Sequence, residues 1–481
     1  MVIVNDGQVI KVLRQYNPWW RTPSAIKEES KPQKRFAYYE ALKILTHKSI
    51  RRFAVLSGMR RVGKTTILYQ IIDYLINEGI NPQNILYATF DNPILKLVNV
   101  ENVLSIYESM YPIKGTRYIF FDEVQYTENW ELWMKVLYDS RRDIRLIATG
   151  SASPILEKGS ADSGTGRWSV LKIPTMSFYE YCRLLNLDSP FLPENLRLSE
   201  LKGFSLAQLG DLMDKFSPLQ NHFNRYLMIG GFPELVLSDD DVYAQRMLRE
   251  DVVDKVIKRD VLSLFNIRSP LLMEKLFLYL CMNSTEIFNA TTAAKELENT
   301  SITTIESYIK ALEMSNLIYL AKPVDVGSKG ALKGKPKIIV ADAAICNAVL
   351  MVDDVLSDEK GLGAMVETTV YKHIASFYQG SPAQLGYFRK AKDNQKEVDV
   401  VVELPRQKIL CEVKYRNHSH IAATDAIVEL CQDEKAKVTD AYLITKRLDD
   451  FGITKHETKI PILRVPAIAF LYILGKAEAE G

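Results

Sequence analysis

The chain has 481 residues, 61 Lys and Arg against 59 Asp and Glu, a net charge of +2, and 47% hydrophobic residues. That apolar share excludes a disordered polymer, the length predicts two or three domains, and the balanced charge excludes a global basic field, leaving only local patches for any nucleic acid. Cys182, Cys281, Cys346, Cys411 and Cys431 are scattered without a CxxC pair, and no run approaches the roughly 18 apolar residues of a membrane helix, so a soluble cytoplasmic protein with reduced thiols and no membrane partner is expected.

Residues 1–34 are polar and contain prolines, with an aromatic pair, Trp19-Trp20, expected to pack against the following domain. From residue 35 to about 175, short apolar runs (RFAVLS, NILYATF, RYIFFD, IRLIATG, SVLKI) alternate with helical stretches such as KTTILYQIIDYLINEG and ENWELWMKVLYDS. Buried strands separated by crossover helices predict an α/β fold, a parallel sheet with helices on both faces. Residues 176–270 read as a helical lid or linker, and 271–350 as short helices followed by a strand. Residues 351–481 return to a small α/β unit with strands LGYFRKA, EVDVVVEL, KILCEVKY, DAYLITK and PILRV.

SGMRRVGKTT, at the end of the first strand and the start of a helix, fits G-x-x-x-x-G-K-[ST]. Gly58 and Gly63 let backbone N–H groups close around phosphates, and the helix N-terminus favours anions. Lys64 is expected on the β- and γ-phosphates, Thr65 on Mg²⁺, Thr66 near the α-phosphate, with Arg61 in the same loop. RYIFFDEVQ then ends a strand in Asp122, suited to hold Mg²⁺, and Glu123, suited to orient and polarise the attacking water. The expected cofactors are ATP and Mg²⁺, and the expected activity is ATP hydrolysis.

The strand NILYATF lies between loop and acids, and RLIATGS follows the acids; this order resembles the additional-strand class of P-loop ATPases that contains the AAA+ proteins. That resemblance implies a polar sensor at Ser151, with Thr149 as second choice, and an arginine finger at Arg167, offered in cis or to a neighbouring copy; a surface arginine is an equal alternative there. GMRRVGKTT, FFDEVQYTENWELWMKVLYD, IATGSAS, GRWSVLKIPTMSFYEY and GGFPELV together resemble a large prokaryotic family of AAA-type ATPases with a C-terminal domain of unknown function, over about Lys34 to Val465. The resemblance implies a winged-helix segment and a nuclease-like C-terminal fold, and a homo-oligomer if the finger acts in trans.

In NATTAAKELENTSITTIESYIKALEMSNLIYLAKP, Ile302, Ile305, Ile309 and Leu312 share one helical face, and the pattern resembles a winged helix-turn-helix with Ser301 or Thr303 near a cap. Its outer face (Thr304, Glu306, Ser307, Lys310) is poor in charge, which favours protein docking over DNA, although GSKGALKGKPK offers a basic wing. In KEVDVVVELPRQKILCEVKYR, alternation puts Glu412 and Lys414 on one face, with Asp399 across a hairpin. This order resembles the PD-(D/E)xK nuclease fold, with Glu367 as a helix acid. The resemblance implies Mg²⁺ on Glu367, Asp399 and Glu412, Lys414 supporting the nucleophile, and phosphate-binding cations in FRKAKDNQK. The expected function is an ATP-driven switch whose C-terminal domain binds DNA or RNA and has the fold to cleave it; the alternative is a nucleotide-dependent scaffold that recognises protein partners through an inactive nuclease fold.

Overall fold

β1 (Phe53–Ser57) is buried along its whole length, as befits a strand covered on both faces. In the computed structural model, which describes residues 4–112, 114–151, 166–187, 192–265, 267–324, 334–352, 355–390 and 396–480, it is joined by β2 (Ile85–Thr89), β3 (Arg117–Asp122), β4 (Ile144–Gly150) and β5 (Trp168–Lys172). The order is β2-β3-β4-β1-β5 and every pair is parallel. All five coincide with strands the sequence predicts. β4 separates the glycine-loop strand from the acid-bearing strand, the arrangement the additional-strand class implies.

The chain divides into two units: Met1–Ile173 with the short segments 263–265 and 314–316, and the remainder, 174–262, 266–313 and 317–481. In the first unit, residues before 35 cover the edge of the sheet. The helix Asp6–Tyr16 leads to Asn17, whose side chain donates to Tyr87 O (2.8 Å) and accepts from Tyr87 N (2.7 Å), as a neighbouring strand would. Both tryptophans are buried, and their indole N–H groups donate to Ile85 O. An open strand edge is thereby closed by side chains.

In the second unit, β6 (Ile318–Pro323), β7 (Lys337–Val340), β8 (Gln384–Arg389), β9 (Glu397–Leu404), β10 (Gln407–Lys414), β11 (Val438–Thr445), β12 (Gly452–Ile453) and β13 (Ile462–Pro466) form one sheet. Its order is β12-β13-β11-β10-β9-β8-β6-β7. β9 and β10 make the antiparallel hairpin read from the sequence, whereas β10, β11 and β13 run parallel. The helices Pro270–Met282, Ala290–Glu296 and Ile302–Met314 precede the antiparallel pair β6–β7, in the order of a winged helix-turn-helix. Ser301 Oγ accepts from Thr304 N (3.1 Å) as the cap, and Ile305, Ile309 and Leu312 are buried. Ile302 is 42% exposed: it sits in the first turn, at the margin of the buried face.

A boundary at residue 350 would cut through this sheet, because β6 pairs in parallel with β8. A Cβ on Gly386 would lie 1.9 Å from Lys322 O, so only glycine admits that close strand approach. Of the basic run GSKGALKGKPK, residues 327–333 lie outside the described residues. Its last lysine, Lys337, opens β7 and is buried, not a solvated wing contact. All five cysteines are unpaired. Among the described residues, no helix is long and apolar enough to cross a membrane.

Candidate functional site

The helix Lys64–Asn77 begins directly after Gly63, which caps it at φ 95°, and Arg61 is also left-handed at φ 63°. Ile67, Leu68, Ile71, Ile72 and Leu75 bury one stripe of this helix and fix its N-terminus at the carboxyl end of β1. Gly58 is held there by crowding: a Cβ would lie 2.3 Å from Ile173 O. Lys64 is only 4% exposed, and its ammonium donates to Gly58 O and Met59 O, each at 2.9 Å. It also stands 3.6 Å from Glu123 Oε1. Thr65 and Thr66 occupy the first turn, where anions are favoured. Arg35, buried just ahead of the helix Phe36–Thr46, donates to Val62 O (2.8 Å) and so braces the loop, a contact no sequence signal marks.

Asp122 ends β3 at the same edge. Its Oδ2 accepts from Thr65 Oγ1 and from Tyr87 OH, both at 2.8 Å, and its Oδ1 accepts from Thr149 Oγ1. Thr149 Oγ1 also accepts from Glu123 N at 3.0 Å, so one hydroxyl orients both acids. Glu123 turns left-handed at φ 52°, which ends the strand beside the loop. Gln125 donates to Glu123 and, at 3.1 Å, to Ser151 Oγ. Ser151 therefore reaches the acid through Gln125, whereas Thr149 touches Asp122 directly. Tyr87 and Gln125 belong to this cluster although the sequence alone assigns neither a role; Gln125 closes the RYIFFDEVQ stretch two residues after Glu123, while Tyr87 is one apolar-run residue among others in NILYATF. Burial, then the Asp122 charge, pushes the Tyr87 phenol well above its ordinary range, so it stays a donor.

The Thr65 hydroxyl and the Asp122 carboxylate are hard oxygen donors already within hydrogen-bond distance of each other, a set that fits Mg²⁺. Arg167 lies elsewhere. It precedes β5, its carbonyl accepts from Phe53 N, and its guanidinium is engaged by Asp139 (3.0 and 3.2 Å). Five strand residues, roughly 16 Å at about 3.3 Å each, separate that edge of the sheet from the glycine loop. Of the three readings of Arg167, this placement at the opposite end of the strands argues against a finger acting in cis, while the Asp139 pair is what a surface arginine would make.

In the second unit, Cys411 pairs with Val400, so Glu412 and Asp399 come next across the hairpin, and Lys414 bonds Glu412 on the shared face. Asp399 Oδ2 accepts from Val413 N at 2.8 Å. Glu367 projects from the helix Glu359–Phe377. A cation already stands among these acids. Lys337 Nζ lies 3.0 Å from Glu367 Oε1 and 3.7 Å from Asp399 Oδ1, and it pairs with Glu397. The expectation of a divalent ion shared by Glu367, Asp399 and Glu412 is therefore corrected: Glu367 and Asp399 face the Lys337 ammonium while Glu412 pairs with Lys414, and the residues so arranged do not fit a metal. Among the described residues, no group of three or more His, Cys, Asp and Glu side chains is arranged to hold one. Burial, then the Asp399 charge, pushes the Glu367 and Glu412 carboxyls well up from their ordinary range. Of the expected phosphate-binding lysines in FRKAKDNQK, Lys390 (2.9 Å) and Lys396 both bond Glu429, and Lys392 lies outside the described residues.

Residues 51–182 match a family described as an AAA domain, 220–356 a domain of unknown function (DUF8612), and 362–465 another (DUF4143). The parallel sheet and the glycine loop described above lie within residues 51–182, the stretch that the AAA-domain model matches. Among proteins, an uncharacterized protein of Haemophilus influenzae is 24% identical over 83% of this chain and 92% of its own length. One of Methanocaldococcus jannaschii is 27% identical over 79% of this chain and 81% of its own. Among solved structures, Aeropyrum pernix ORC1 in complex with DNA aligns at 12% identity and TM-score 0.31, over 69% of this chain and 96% of that one. The Thermotoga maritima RuvB branch-migration motor aligns at 14% and 0.27, over 62% and 88%. Scores this low imply neither a shared partner nor a shared reaction.

Proposed function

We propose that the first unit binds Mg·ATP and hydrolyses it as a switch. The observation that carries this is the convergence of Lys64, Thr65, Asp122 and Glu123 at one sheet edge, with Thr65 bonded to Asp122 and Lys64 3.6 Å from Glu123. The loop glycines and the helix start bind the phosphates, and Lys64 neutralises the terminal ones. Mg²⁺, when bound to Thr65 and Asp122, supplies charge neutralisation of the phosphoryl oxygens. Glu123, aimed by Thr149 and Gln125, accepts the proton of the attacking water. Thr149 and Ser151 line the same edge as sensors, and Arg167 serves a neighbouring copy in a homo-oligomer.

Downstream, we favour recognition of a protein partner over nucleic acid. The outer face of the Ile302–Met314 helix offers Glu306, Ser307 and Lys310, and Lys390 and Lys396 are spent on Glu429, whereas nucleic-acid affinity rests on free cations. Two measurements decide. Lys64→Ala is expected to abolish ATP binding by calorimetry, and Glu123→Gln to keep binding while stopping turnover; loss of binding in a folded Glu123→Gln protein would overturn its role. ATPase turnover that rises severalfold on adding DNA would restore the nucleic-acid reading.

A further inference from the structure

The motif-bearing hairpin is surrounded by more negative charge than its own lysine can balance. Glu367 comes from a helix, Glu397 and Asp399 from one face of β9, and Glu412 from β10. Gathering four carboxylates in a buried place is untenable without cations. A metal-dependent phosphodiesterase solves this with a divalent ion. Here the solution is covalent. Lys337 enters from β7, the far strand of the sheet, is 3% exposed, and reaches Glu367, Glu397 and Asp399 at once. Its stem also lies by the Tyr387 ring, with Nζ 5.5 Å from the centroid, and Tyr387 OH donates to Lys335 O two residues earlier, which fixes where the lysine enters.

We infer that the Lys337 ammonium is a tethered cation standing where a nuclease would hold its metal, so that this nuclease-like site is complete without a divalent ion and does not cleave phosphodiesters. Three features of the site support it. Lys337 meets acids from two elements, as a bridging ion would. Asp399 divides its oxygens between Val413 N and Lys337, leaving none directed elsewhere. Glu412, 7% exposed, has Oε1 on Lys414 and an Oε2 with no partner among the described residues.

The inference does not rest on ATP hydrolysis, and its test keeps the two apart. Nucleotide-free full-length protein is titrated with Mn²⁺ by calorimetry as wild type, Lys337→Met and Lys337→Met with Glu412→Gln, and ATP turnover is measured in each. Lys337→Met removes the charge, keeps most of the volume, and frees Glu367 and Asp399 to join the already partnerless Glu412 oxygen. It is expected to gain one Mn²⁺ per chain over wild type, which the double variant loses, with ATP turnover unchanged. A folded Lys337→Met protein that gains no Mn²⁺ overturns the inference. Because that variant could fail to fold, wild type is also compared with Asp399→Asn. Mn²⁺ binding or Mn²⁺-dependent DNA cleavage by wild type that Asp399→Asn abolishes overturns it too, and equal Mn²⁺ titrations of the two support it.

Discussion

At the scale of single residues, the ATP site depends on one hydroxyl that touches both acids. Thr149 Oγ1 donates to Asp122 and accepts from Glu123 N. Removing it leaves the nucleotide's own ligands, Lys64 and Thr65, in place but lets Glu123 drift, and misplacing a catalytic group costs up to about a hundredfold in rate. Thr149→Ala is thus expected to lower kcat by about ten- to a hundredfold while ATP affinity changes little; Ser151→Ala, one side chain further out, is expected to lose less. Steady-state kinetics beside equilibrium nucleotide titration separates the two effects. His373 in the second unit gives a different kind of test. Its Nδ1–H donates to Thr369 O (2.8 Å) and its Nε2 accepts from Phe178 N (2.9 Å), so both nitrogens are used by the neutral ring. Burial, then the neighbouring Lys372 charge, holds its pKa well below the ordinary value of 6.5. Unfolded chains take up a proton below that value and the folded one does not, so this stabilisation is present above pH 6.5 and fades as pH falls toward the folded value, by up to about 1.4 kcal/mol per pH unit. Thermal unfolding at pH 7 and pH 5 is expected to show a larger drop for wild type than for His373→Gln. Equal drops would mean that the ring charges freely in the folded state.

At the scale of elements, what was legible in the sequence follows how local each determinant is. The strands of the first sheet announce themselves as apolar runs because both faces are covered, and the glycine loop is one continuous stretch. The C-terminal hairpin is equally plain, since Glu412 and Lys414 alternate with the apolar Cys411 and Val413 along a single strand. Asn17 was not legible. Nothing around it marks a side chain that completes the backbone pairing of a strand 70 residues away, and it is 1% exposed. Lys337 is misread for the opposite reason: a run of lysines and glycines looks solvated, and only the folded sheet, which brings the Lys337 side chain from the edge strand β7 to the acids of β9 and the Glu367 helix, makes it a buried counter-ion. Asn17→Ala strips partners from Tyr87 N and Tyr87 O together, and each buried unsatisfied group costs about 1–3 kcal/mol. A loss of about 2–4 kcal/mol in denaturant unfolding of the first unit is expected, with aggregation at the freed β2 edge. A loss below about 0.5 kcal/mol would mean that the tryptophans alone seal that edge.

At the scale of the whole molecule, the two units differ in what they can respond to. The first holds the proposed nucleotide site. The second is knit by a buried polar network around Lys372, whose ammonium donates to Tyr226 OH (2.6 Å), Thr175 Oγ1 (3.0 Å) and Met176 O (3.0 Å) and pairs with Asp342 at 3.3 Å. Asp342 in turn caps the helix Ala343–Leu350 and accepts from Gly231 N, so the GGFPELV stretch singled out by its resemblance is anchored in this network. A ligand at a hundred times its Kd stabilises whatever folds around it by about 2.7 kcal/mol. Bound to the first unit alone, Mg·ATP would slow hydrogen exchange in β1, β3 and the Lys64–Asn77 helix and leave residues 317–481 untouched. A switch requires more, because a ligand shifts an equilibrium only through its differential affinity for the states involved. Mg·ATP is therefore expected to alter exchange around Gly231, Asp342 and Lys372 as well, and Lys64→Ala to abolish both effects. Protection confined to residues 51–173 in the wild type would leave a working ATPase and remove the switch.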